Sequence, residues 1–293
     1  MAYQITGTTR LGGLLGSPVA HSKSPLMHNE SFRLLGLDFV YLCFDMGPEK
    51  LERTVQALRD MNTYGFNLTM PLKTAVIPYL DALSEEAALI GAVNTVKNDS
   101  GRLIGYNTDG MGFMASVRDQ GMDVSGRTVT LLGAGGAASA ISVQAALDGA
   151  AVLHLVSRRG RSWEKAESLV RSISESTACR ADLTDLADEA ALAACLAESG
   201  LLINATSVGM APNTQASPIR DPSMLPPGLL VGDVIYHPER TLLLKQAAER
   251  GCRTFNGMDM LLYQGAAGFK IWTGQEMPVE RIRALYFSEK SAP

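Results

Sequence analysis

Residues 128–132 form an apolar, β-branched run that leads directly into Gly133-Ala134-Gly135-Gly136-Ala137-Ala138, and a helical stretch of mostly small residues follows to Leu147. The pattern fits G-x-G-x-x-A. Gly133 allows a tight turn, Gly135 lets the backbone approach a pyrophosphate, and Ala138 lets the helix pack close to the sheet. The start of the helix, at Gly136 and Ala137, adds N–H groups and a dipole that favour phosphate. Gly133, Ala134, Gly135, Gly136 and Ala137 are therefore a candidate dinucleotide cradle. A purely structural strand–turn–helix would look similar, but a position between a strand and a helix is the context the fingerprint requires.

The alternation continues downstream. Residues 152–156, 201–205 and 230–234 read as strands and 163–173 as a helix, the pattern of a doubly wound parallel sheet. Upstream, 12–15, 40–44, 65–68 and 93–97 read as strands, with helical spacing over 25–35 and 48–61. Both of those helices open with proline at a plausible first position. An α/β protein is expected, and 293 residues leave room for two modest domains. Polar and glycine residues cluster at 106–112, where the domain boundary is expected.

The residues after the 152–156 strand discriminate between cofactors. A carboxylate there would bind the ribose hydroxyls of NAD. This chain carries Ser157-Arg158-Arg159-Gly160-Arg161 instead. The guanidinium forks of Arg158, Arg159 and Arg161 match phosphate oxygens and could surround the 2′-phosphate of NADP, so Ser157, Arg158 and Arg159 are candidate cofactor contacts, with NAD as a secondary cofactor. The bland alternative is a solvated basic loop.

Composition excludes other classes. Apolar residues make up 46% of the chain and charged residues 19%, a globular balance. A formal charge of -4 offers no basic field to a nucleic acid. Cys43, Cys179, Cys195 and Cys252 lie far apart, so neither a metal site nor a disulfide framework is expected. No secretory signal is visible, and no apolar run is long enough to span a bilayer. The expectation is an unanchored cytoplasmic enzyme, monomer or homodimer, whose partners are small molecules rather than nucleic acid or membrane.

The first half holds several polar clusters. In His21-Ser22-Lys23-Ser24-Pro25, Ser24 suits a helix N-cap with Pro25 at the first helical position. A cap does not explain Ser22, and two hydroxyls at a helix start could bind a carboxylate. Asn67 and Thr69 alternate at a strand end and so point the same way. Lys73 follows them, although an isolated lysine is normally solvated. Asn94 and Asp109 sit among further hydrogen-bonding groups, where a turn or a cap would also explain them. A ring bearing several hydroxyls needs such a set, because each hydroxyl taken from water needs a partner. His21 and His28 read as local or capping residues, and His154 as a strand residue.

The strings HSKSP, FNLTMPLK, GAVNT, YNTDG, GAGGAA, NATSVGM and GMDMLLYQGAAGFKIWTG occur in this order between residues 14 and 274. Together they resemble the shikimate dehydrogenase family. The resemblance implies NADP-dependent, reversible reduction of 3-dehydroshikimate to shikimate, a step toward chorismate and the aromatic amino acids. It implies that Ser22 and Ser24 hold the substrate carboxylate, that Thr69, Asn94 and Gln264 contact the hydroxyls or the carboxylate's neighbourhood, and that Asn67 supports the pocket. Tyr236 matches a tyrosine near the carboxylate. Lys73 and Asp109 match the catalytic pair, Lys73 as acid/base with Asp109 orienting it. Thr206 and Ser207 fall on the cofactor side, and Val234 and Gly257 line the nicotinamide.

The resemblance further implies a Rossmann-type dinucleotide domain over 110–256. A smaller α/β substrate-binding catalytic domain combines 1–109 with the C-terminal helices of 257–293. Residues 260–272 are indeed helical in pattern. Two positions depart from relatives: His237 stands where many carry Asn, and Gly160 where some dual-cofactor enzymes carry Asp. One alternative is the quinate/shikimate dehydrogenase branch, using NAD or NADP. Another, of a different class, is a catalytically silent dinucleotide sensor, against which the presence of both Lys73 and Asp109 argues.

Overall fold

β1 (Arg10–Gly16) pairs in parallel with β2 (Phe39–Asp45) on one side. On its other side it pairs in parallel with β3 (Gly65–Leu68). Parallel neighbours need crossovers, and these are α1 (Ser24–Leu35) and α2 (Leu51–Asp60), the latter entered through a 3-10 turn at Pro48–Lys50. β4 (Ala82–Leu83), α3 (Glu85–Ile90), β5 (Thr95–Asp99) and β6 (Arg102–Tyr106) extend the sheet to the order β2-β1-β3-β5-β6-β4, with β5 antiparallel to both neighbours. Leu51, Val55 and Leu58 of α2 seal one face of this sheet against Leu15, Phe66, Leu68 and Val96.

α4 (Thr108–Asp119) leads into β7 (Thr128–Leu132), α5 (Gly136–Leu147), β8 (Val152–Ser157), α6 (Trp163–Ser176) and β9 (Arg180–Asp185). Then come α7 (Glu189–Glu198), β10 (Leu201–Asn204), β11 (Leu230–Asp233), α8 (Leu242–Glu249) and β12 (Arg253–Phe255). All strands of this second sheet are parallel, in the order β12-β11-β10-β7-β8-β9. The chain winds outward from β7 to β9, then returns to place β10 on the other side of β7. This is a doubly wound sheet with its switch point between β7 and β10. α9 (Met258–Thr273) and α10 (Val279–Tyr286) return to the first sheet, where Phe269, Trp272 and Ile282 pack with Leu14, Tyr41 and Phe32.

This computed structural model describes residues 4–287. The segments expected for the substrate domain begin at residue 1 and end at 293, so residues 1–3 and 288–293 of them lie outside the described residues. Among those described, one compact unit contains the chain up to Thr108 and again from Leu262, and the other is Asp109–Leu261. The polar stretch 106–112 is an ordered helix start, since α4 begins at Thr108.

Several expected boundaries move. The helix expected over 48–61 is a 3-10 turn followed by an α-helix, and the strand expected from residue 93 begins at Thr95. Ser24 does not cap α1 but is its first residue. Ser22 Oγ accepts the Ser24 N–H at 3.2 Å. The first N–H groups of a helix lack intrahelical acceptors. The serine that capping seemed not to explain is thus the one that satisfies the helix entry. His28 is no cap either: it is 0% exposed and stacks on Tyr41 with ring centroids 4.6 Å apart.

Candidate functional site

In the second unit, the strands flanking the switch point lead into Gly133 and into Ala205-Thr206. Gly133 has φ +117°, and a Cβ there would stand 2.9 Å from the Ala205 carbonyl oxygen. Any other residue would meet both backbone strain and a clash. A Cβ on Gly135 would meet nothing within 4 Å. Gly135 borders a cleft of about 750 Å³, also lined by Gly133, Ala134, residues 157–161, Thr206 and Ser207. No described side chain caps α5, which starts at Gly136, and half-buried Ala137 follows in its first turn. An uncapped helix start behind an open glycine turn fits the pyrophosphate of a dinucleotide.

Ser157 closes β8 and is 8% exposed, whereas Arg158, Arg159 and Arg161 are exposed around the cleft. Arg159 Nε donates to Asp185 Oδ2 at 3.1 Å, and its guanidinium lies 4.4 Å from the centre of the Trp163 ring. Trp163 and Asp185 were not among the residues singled out in the sequence.

A second network shapes the other wall. Register pairs Asn204 with Asp233 at the ends of β10 and β11. Asn204 Nδ2 donates to Asp233 Oδ1 at 3.0 Å, and its Oδ1 accepts from Thr206 N–H and Oγ1 at 3.1 and 2.7 Å. Thr206 Oγ1 accepts in turn from the Val208 N–H. With its hydroxyl so engaged, Thr206 offers the cleft its backbone and methyl group. Asp233 also accepts from the Ile235 N–H at 3.0 Å and the Thr241 hydroxyl at 2.8 Å. Burial pushes its carboxyl above the usual range, against these hydrogen bonds. Val234 N–H donates to the Asn204 carbonyl, and Gly257 N–H to that of Ile235. Tyr236 follows on the surface, 46% exposed.

In the first unit the polar clusters meet at one edge of the sheet. Register sets Gly16 beside Asp45, Leu15 beside Leu68, Asn67 beside Thr95, and Thr95 beside Tyr106. Because β5 is antiparallel, its start lies with the ends of β1, β2, β3 and β6. Ser22 and Ser24 follow β1, Thr69 and Lys73 follow β3, and Asn94 precedes β5. Thr69 N–H donates to the Leu15 carbonyl, and the Lys73 carbonyl accepts the Val93 N–H at 2.8 Å. Lys73 is half-buried, as is Asp109 in the first turn of α4 and Gln264 on α9.

Beneath this edge runs a chain of hydrogen bonds. The fully buried Tyr41 hydroxyl donates to Asn67 Oδ1 at 2.7 Å. Asn67 Nδ2 donates to the Asn94 carbonyl at 3.0 Å and to Thr95 Oγ1 at 2.9 Å. Asn94 Oδ1 accepts the Thr108 N–H at 2.8 Å. Burial drives the Tyr41 phenol well above its ordinary pKa and raises the Cys43 thiol. Asn67 and Asn94 are thus joined to each other and to Tyr41, Thr95 and Thr108. Tyr41 went unnoticed in the sequence; its one signal is a polar-tipped ring amid the apolar residues of β2.

Among the described residues no group of three or more His, Cys, Asp or Glu is arranged to hold a metal, and no helix is long and apolar enough to cross a membrane.

A doubly wound sheet with a glycine turn at its switch point and arginines beyond the next strand defines a dinucleotide-binding α/β protein. Residues 14–96 match the shikimate dehydrogenase substrate binding domain, and 257–285 the shikimate 5'-dehydrogenase C-terminal domain. Shikimate dehydrogenase (NADP(+)) of Listeria monocytogenes serotype 4b is 48% identical over 97% of this chain and 98% of its own. The crystal structure of a Listeria monocytogenes shikimate 5-dehydrogenase with shikimate and NAD has 47% identity and a TM-score of 0.94, over 97% of this chain and 98% of that one. Quinate dehydrogenase from Corynebacterium glutamicum, solved with NAD, has 31% identity and a TM-score of 0.83, over 94% of this chain and 98% of that one. The chain belongs to the shikimate dehydrogenase family.

Proposed function

We propose that the protein interconverts 3-dehydroshikimate and shikimate with NADP, the first unit binding the substrate and the second the dinucleotide. The observation that carries this reading is positional: in each unit, the motif residues that adjoin strands lie at one edge of that unit's own sheet. When bound, NADP supplies the acceptor for the hydride that leaves the alcohol carbon, and NADPH the donor for the reverse reaction. Lys73 takes the hydroxyl proton as the carbonyl forms and returns it during reduction, and Asp109 serves the same proton. Ser22 and Ser24 hold the carboxylate. Tyr236 lies near that carboxylate, and Thr69, Asn94 and Gln264 contact the hydroxyls or the carboxylate's neighbourhood, with Asn67 supporting Asn94. Gly133 to Ala137 receive the pyrophosphate, and Ser157, Arg158 and Arg159 the 2′-phosphate. Thr206, Ser207, Val234 and Gly257 form the remaining cofactor wall.

A cytoplasmic location, and a monomer or homodimer, accompany this reading. It is tested by steady-state rates on a grid of shikimate and quinate against NADP and NAD. The expected maximum of kcat/KM is shikimate with NADP. A maximum at quinate would move the protein to the quinate branch, one at NAD would overturn the cofactor assignment, and no turnover with any pair would leave a silent binding protein.

A further inference from the structure

Of the arginines at 158, 159 and 161, only Arg159 is held by described side chains. Its guanidinium lies 4.4 Å from the Trp163 ring centre while Nε donates to Asp185 at 3.1 Å. Each holder is itself fixed. Trp163 Nε1 donates to Glu167 at 2.7 Å, and Asp185 Oδ1 accepts the Ala187 N–H at 3.0 Å. Register sets Asp185 beside Ser157, at the mouth of the cleft. The contact with Asp185 is side-on. It uses Nε and leaves the terminal nitrogens, which no described residue bonds. A closed-off arginine in this chain looks different: Arg33 gives both Nε and Nη2 to Glu30, at 2.8 and 2.6 Å.

Arginine carries much rotamer entropy, and a planar fork fixed before binding loses less of it when phosphate arrives. An aromatic face under the guanidinium restricts it further without consuming a donor. We propose that Trp163 and Asp185 are positioning residues that set the preference for a 2′-phosphorylated dinucleotide by holding Arg159 ready for that phosphate. Arg159, rather than Arg158 or Arg161, is then the main anchor. The proposal rests on the dinucleotide reading above and adds the residues that decide between its two cofactor forms.

The test is calorimetric binding of NADP and of NAD to the full chain, taking the ratio of the two dissociation constants as selectivity. Wild type is expected to bind NADP the more tightly. Trp163→Leu and Asp185→Asn should each cut the selectivity about five- to tenfold, through weaker NADP binding alone. Arg159→Ala should cut it at least as far. Unchanged NAD binding in Trp163→Leu and Asp185→Asn shows that these two variants are folded, and a merely structural role would weaken both ligands together. Selectivity unchanged in both positioning variants, or increased in Asp185→Asn because Asp185 competes with phosphate for Arg159, overturns the proposal. A wild type that binds NAD more tightly overturns the NADP reading and this proposal with it.

Discussion

Nδ1 of His154 stands 2.8 Å from Oδ1 of Asp182, and its Nε2 stands 2.8 Å from Oε1 of Glu198. One imidazole on β8 therefore ties β9 to α7. Only the doubly protonated ring can donate at both ends. The hydrogen bond to Asp182 is the largest cause raising the His154 pKa, and burial opposes it.

The raised pKa makes stability depend on pH. Below about 6.5, where an unfolded histidine is protonated, both states carry the proton and the contribution is complete. As pH rises through the folded value, the proton leaves and the contribution is lost. The loss should be on the order of 1 kcal/mol, because both carboxylates are half exposed and screened. Urea midpoints measured from pH 6 to 9 should fall in wild type and stay flatter in His154→Gln. Parallel curves would remove the charged form from the account.

His28 has the opposite sign. Its ring is fully buried among Phe32, Tyr41, Phe269 and Trp272, neither nitrogen has a hydrogen-bond partner among the described residues, and burial lowers its pKa to about 3. Between pH 6.5 and that value the unfolded chain binds a proton that the folded one refuses, so stability falls as pH falls. The slope from this residue approaches about 1.4 kcal/mol per pH unit. His28→Phe should flatten the acid limb of a stability–pH curve between pH 6 and 4.5. An acid limb as steep as that of wild type would show that His28 finds a partner on protonation.

Asp233 pairs with no cation among the described residues, yet it accepts from the Asn204 amide, the Ile235 N–H and the Thr241 hydroxyl. Asp233→Ala takes this acceptor from the buried Ile235 N–H and Thr241 hydroxyl and leaves Asn204 Nδ2 only the Val208 carbonyl at 3.3 Å, so a loss of about 3 kcal/mol in unfolding free energy is expected. Asn204 would also lose its orientation, and with it the Thr206 wall of the cleft. The KM for NADP should therefore rise in whatever folded protein remains. Asp233→Asn keeps an oxygen for the two N–H groups and should cost less. Equal losses in the two variants would argue against the hydrogen-bond account.

The second unit was legible where its strands are buried on both faces. β7, β8, β10 and β11 are short runs rich in Val, Leu and Ile, and nearly every residue in them is buried. β9 was not legible, because an edge strand reading Arg-Ala-Asp-Leu-Thr-Asp lacks such a run. β4 is two residues long and has no periodicity to read. The glycine turn and the arginine loop stood out because their chemistry is local. The contacts that hold site residues in place did not: Asp185 is 26 residues from Arg159, and Tyr41 is 26 from Asn67. Distances of that kind are set by strand order, which the sequence does not display.

Lys73 offers the sharpest test of the chemistry, because its backbone and side chain can be separated. Its carbonyl accepts the Val93 N–H at 2.8 Å, and the neighbouring Leu72 and Val76 are fully buried in the core behind α2. Lys73→Ala keeps this backbone bond and these core neighbours while removing the side chain beyond Cβ, amine included. The fold and the substrate's polar contacts should persist, so KM for shikimate should change little. Loss of a positioned acid/base should lower kcat by about 10²- to 10⁴-fold. Steady-state kinetics in the oxidative direction decide the matter: near-normal kcat would remove the role, and a rise in KM at unchanged kcat would make Lys73 a binding residue instead.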